Sequence, residues 1–167
     1  MTKRLTRAAL LTALALILFT VEAQLPRPIP IPGARLGLAN IITVYAMFRL
    51  GPRDTLGILL ARVFLGAVFA GAMMTLLFSL SGGLLCYAAM LVLRRILTDR
   101  QIWVCGVLGA VCHGLGQMLA ALAVYRTAGL LAYLPALLLS CMAAGLFTGL
   151  CAQFLVARLK NAKGLSL

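Results

Sequence analysis

Six long apolar runs, each closed by a short basic or turn-forming cluster, make up almost the whole of this chain. A helix needs about 20 residues to cross the hydrocarbon core of a bilayer, and only helices or closed barrels satisfy their backbone there. The runs are rich in Leu and Ala and show no alternation of period two, which excludes a barrel. A content of 63% hydrophobic and 11% charged residues also lies outside the soluble globular range. The expectation is an all-α polytopic membrane protein of six transmembrane helices, one domain over residues 1–167. The spans fall at about 8–25, 36–50, 55–79, 84–97, 102–124 and 135–157. The first run, with Lys3, Arg4 and Arg7 before it, also has the form of a secretory signal peptide. The five runs that follow favour a retained span.

The net charge of +12 raises the question of nucleic acid. The basic residues stand at the ends of apolar runs rather than along one solvated face, so no nucleic-acid partner is expected. If six spans place both termini on one side, the clusters at 3–7, 49–53, 94–100 and 158–163 share that side. They carry eleven Lys and Arg, against Arg27, Arg35 and Arg126 on the other side, and Arg62 lies within a span. The positive-inside rule then makes both termini cytoplasmic, in a multi-pass protein of the cell (inner, cytoplasmic) membrane.

Boundaries between runs follow from Gly, Pro and Ser. Gly51 and Pro52 stop the second run and start the third, and Pro135 suits the first turn of the sixth. Ser79, Ser81, Gly82 and Gly83 read as the turn between the third and fourth runs. Between the first two runs, Pro26, Pro28, Pro30 and Pro32 alternate with other residues. Alternate prolines forbid helix and favour an extended, polyproline-like loop, here on the outer side.

Polar residues within apolar spans are costly and mark function by default. Glu22, Arg35 and Asn40 fall near the outer ends of the first two spans. His113 falls near mid-depth of the fifth, and Gln117 lies one turn further on the same face. These five are the candidate substrate-binding set for an outward-opening pocket beneath the proline loop. Interhelical hydrogen bonding without a ligand is the competing role for His113 and Gln117. Arg62, about 12 Å into its helix from Asp54, is assigned instead to structural pairing, with its side chain reaching the cytoplasmic surface. Ala9 and Ala13 form a small-residue spacing that permits close approach of another helix. Gly145 and Gly149 do the same, within one chain or between two.

No cofactor or metal site is legible. The five cysteines lie within apolar runs and form no CxxC pair, so they read as small buried hydrophobes. There is no P-loop, no readable Ser-His-Asp set and no Asp-rich pair for Mg²⁺ among the three acids. Catalysis by the chain alone is not expected.

The stretch PGARLGLANIITVYAMFRLGPRD, with VEAQLP upstream and LARVFLGAVF, SLSGG and CHGLGQ downstream, resembles the Gx transporter family. Its members are commonly labelled heptaprenyl diphosphate synthase component I. The resemblance covers nearly the whole chain in order. The fifth-span motif of the family reads more like AHNLGQ; here Cys112 and Gly114 replace its Ala and Asn. That family is similar in turn to the S-components of energy-coupling factor (ECF) transporters. The resemblance implies an S-component-like bundle that captures a small molecule or precursor from outside. It also implies a loop over the pocket at Pro26–Gly33. A transmembrane coupling subunit, working with ATPases, would meet Ala9 and Ala13. The alternative is a non-catalytic membrane subunit of a prenyl synthase in isoprenoid quinone biosynthesis.

Overall fold

The computed structural model describes residues 2–24, 37–71 and 73–164. The described residues form six α-helices and no strand: α1 (Thr2–Gln24), α2 (Leu38–Arg49), α3 (Pro52–Ala70), α4 (Met73–Ile96), α5 (Ile102–Tyr125) and α6 (Leu134–Gly164). A 3₁₀ segment, Ala128–Tyr133, leads into α6. The helices α1, α4, α5 and α6 are long and apolar enough to cross a membrane. At 12 residues α2 measures about 18 Å, shorter than the hydrocarbon core. α3 has the length, but Arg53, Asp54 and Arg62 interrupt its apolar character.

The most extensive packing joins α4, α5 and α6. It depends on glycines at the crossings. A Cβ on Gly106 would run into the Cα of Gly149 and come within 2.7 Å of the Gly145 carbonyl oxygen. One on Gly145 would lie 2.8 Å from the Gly106 carbonyl. Lipid supplies no hydrophobic drive between helices, so backbone approach of this kind is what holds the pair together. The Gly145–Gly149 pair therefore packs within the chain. On its other face α5 meets α4 in the same manner, with Gly116 against Gly82 and the Ser81 carbonyl.

This corrects the expected turn at residues 79–83. Ser79, Ser81, Gly82 and Gly83 lie inside α4, and Ser81 Oγ donates to the Phe78 carbonyl of its own helix at 3.1 Å. Gly82 is there because the α5 backbone leaves no room for a Cβ, and Gly83 sits close under Leu59 of α3, where a Cβ would stand 3.2 Å from its Cδ1. α3 ends earlier, at Ala70, where Gly71 (φ +61°) adopts the left-handed conformation and donates its N–H to the Val68 carbonyl. The 55–79 run thus spans the end of one helix and the start of the next.

α2 is the central element of the other half. Eight of its 12 residues are buried, and its core-facing Val44 and Met47 pack with Met90, Ile102 and Cys105. Its C-terminal end is fixed by Arg49, whose Nη2 donates to the Val156 carbonyl of α6 at 2.7 Å. Its N-terminal end has no side-chain cap of its own. Glu22, at the end of α1, takes that role: its two carboxylate oxygens accept the N–H groups of Gly37 (2.7 Å) and Leu38 (2.9 Å). An anion placed on the positive end of a helix dipole and on two orphan donors stabilises by about 1–2 kcal/mol when partly buried. This contact brings the end of α1 to the start of α2.

Candidate functional site

A cavity of about 60 Å³ lies between α1, α2 and α3 on one side and α4, α5 and α6 on the other, with Ser79 of α4 in its lining. Each wall has a reason to be there. α1 supplies Phe19 and Glu22, and the Phe19 ring packs closely on Gly66 of α3, where a Cβ would come within 3.2 Å of it. α3 supplies Arg62, Val63, Gly66 and Ala67, one face at helical spacing in which three of the four are small or apolar. α5 supplies Ala110, His113 and Gln117, and α6 supplies Cys141, Ala144 and Thr148. The glycine contacts of α4 with α5 set the α5 wall: a Cβ on Gly82 would stand 2.8 Å from Gln117 Cγ and 2.7 Å from the His113 carbonyl.

Four of the five residues expected to bind substrate line this one space: Glu22, Asn40, His113 and Gln117. They come from three helices, and nothing in their sequence spacing fixed that meeting. Glu22 lines it with both oxygens already engaged by the start of α2. Arg35 lies outside the described residues, as does the proline loop. Ala9 and Ala13 are far from the cavity in sequence and exposed on the outer face of α1, of which only Ala15 is buried.

Arg62 is the residue the sequence reading misplaced. It is 8% exposed, so its side chain does not reach a solvated surface. It turns instead into the cavity, where Nη2 donates to Asn40 Oδ1 at 3.5 Å, a long and weak hydrogen bond. Its Nε has no hydrogen-bond partner among the described residues, and the same holds for Gln117 Oε1. The signal was present in the sequence: Arg62 and Gly66 are one turn apart, so a charge shares its face with a small residue. What the sequence lacked was the direction of that face.

Fold and site together define a polytopic helical membrane protein with a cavity among its helices, lined by apolar residues and a few buried polar ones. The sequence profile of the heptaprenyl diphosphate synthase component I family matches residues 11–155, and the chain belongs to that family. No curated protein and no solved structure matches it. Among the described residues no group of three or more His, Cys, Asp or Glu side chains is placed to hold a metal ion.

Proposed function

We propose that this protein captures a small polar solute in the cavity between its six helices, as the binding subunit of an uptake system. One observation carries the reading. Arg62 and Gln117 are both at least nine-tenths buried, both face the cavity, and both keep a polar atom without a partner among the described residues. The large majority of buried polar side-chain atoms are satisfied, and each that is not costs on the order of 1–3 kcal/mol. A ligand that supplies the missing partners accounts for that cost. In this reading all six helices cross the membrane, with α2 as a short, protein-enclosed crossing and both termini cytoplasmic. The cavity then lies toward the outer side, since Glu22 ends α1 and Asn40 begins α2. The exposed face of α1 with Ala9 and Ala13 is where a transmembrane coupling subunit, itself joined to ATPases, would dock.

The family description favours a second reading, in which the protein is a non-catalytic membrane subunit accompanying a prenyl diphosphate synthase. Deleting the gene separates the two. Uptake predicts normal prenyl synthase activity in lysates given excess substrate, together with impaired entry of a solute into whole cells. Low lysate activity with normal entry supports the synthase subunit and removes the uptake reading. Identification of the protein that co-purifies in mild detergent, an ATPase-bearing complex or a synthase, is the independent check.

A further inference from the structure

A guanidinium buried among helices needs its donors met and its charge balanced, because burial removes the water that did both. Arg62 keeps its proton in any protein environment. Its contact with Asn40 is long and to a neutral group, and its Nε donor has no partner among the described residues. The Glu22 carboxylate in the same wall lies within electrostatic reach of Arg62. Both its oxygens accept backbone N–H groups at the start of α2, so it leaves the Arg62 Nε donor unmet. Gln117 adds a neutral acceptor, Oε1, also without a partner among the described residues.

We propose that the ligand of this cavity is a small organic acid, its single carboxylate on Arg62 and an adjacent hydroxyl or N–H donating to Gln117 Oε1. The proposal rests on the capture reading above and names the class of solute. A planar guanidinium matches a carboxylate edge to edge, with two parallel N–H···O bonds. The cavity volume of about 60 Å³ is several-fold below the roughly 300–1,000 Å³ of sites for drug-sized ligands. That suits an acid of a few heavy atoms. Polyanions are disfavoured: a diphosphate would bring several negative charges beside Glu22, with Arg62 the one cation among the described wall residues.

Isothermal titration of the full chain in nanodiscs of zwitterionic lipid, at neutral pH, tests this with L-lactate, lactamide, propionate and inorganic pyrophosphate. Lactate is expected to bind at least tenfold tighter than lactamide, which has the same shape without the charge. It is also expected to bind several-fold tighter than propionate, which lacks the hydroxyl. Arg62→Gln should erase the lactate–lactamide difference; the wild-type comparison stands whether or not that variant folds. Lactamide binding as tightly as lactate, or pyrophosphate binding tighter, overturns the acid assignment while the capture of a solute stands. Absence of binding by all four probes also overturns the assignment, and solute entry in the deletion strain then judges the capture reading separately.

Discussion

The two halves of this bundle are built by opposite rules. α4, α5 and α6 meet through Gly82, Gly106, Gly116, Gly145 and Gly149, at distances that exclude even a methyl group, and no charge lies in those crossings. α1, α2 and α3 are joined less closely and through polar contacts: Glu22 on the start of α2, Arg62 near Asn40, and Arg4 Nε to Asp54 at 2.6 Å. The cavity lies on the seam between the halves. A rigid wall fixes His113 and Gln117, and a polar, less constrained wall offers Arg62 and Asn40. The difference teaches that stability and binding are divided between the halves. Unsatisfied polar groups persist where a scaffold elsewhere supports them.

Substitutions that test this division should fall in a definite order. The largest effect is expected at Gly106→Ala, which must push α5 off the backbone of α6. Overpacking of this sort costs about 3 kcal/mol, read as lost thermal stability in mild detergent. Gly57→Ala is the control: nothing lies within 4 Å of that position, and it should be neutral or gain up to about 1 kcal/mol. Next comes Gly82→Ala, whose new methyl meets the His113 carbonyl and Gln117 Cγ. It should cost about 2 kcal/mol and displace the α5 wall, so stability and ligand binding fall together.

Effects in the polar half should be smaller in stability. Glu22→Gln keeps the shape but removes the charge from the positive end of α2, for a loss of about 1–2 kcal/mol in the same unfolding assay. Arg62→Met replaces a poorly satisfied buried cation by an apolar chain of similar length. Its stability should stay within about 1 kcal/mol of wild type or rise, while ligand binding is lost. A large destabilisation by Arg62→Met, comparable with that of Gly106→Ala, would show that Arg62 is structural and would dissolve the distinction between the halves. Arg4→Ala should give the smallest effect, no measurable change in melting temperature, since the Arg4 side chain is 65% exposed.

The class of fold was legible from the apolar runs and the placement of charge, since lipid leaves few ways to satisfy a backbone. The break between α3 and α4 was not. Gly71 sits within an apolar stretch, while the polar and glycine-rich 79–83 segment looked like a turn and is helix. In water a Ser-Leu-Ser-Gly-Gly segment is a turn signal, whereas between membrane helices the same residues are packing surface. Glu22 and Asn40 stood out as polar groups near span ends. The contact of Glu22 with a helix terminus needed a three-dimensional approach between segments separated by 15 residues. Arg62 was visible as a charge within a span, but whether it pointed toward water or toward other helices depended on which neighbours α3 met. His113 and Gln117 shared a face by spacing alone. Their place across the cavity from α3 depends on Gly82, which lets α4 close on both of them and which reads in sequence as part of a turn.

The central claim is that the buried polar groups at the seam are held for a ligand. The most direct measurement is the melting temperature of the purified protein and of Arg62→Gln in nanodiscs, across a panel of small acids, amides and amines. The account predicts that at least one acid raises the melting temperature of the wild type, in a saturable manner, and leaves that of Arg62→Gln unchanged. Equal shifts in both proteins, or no shift in the wild type with any compound, would contradict it.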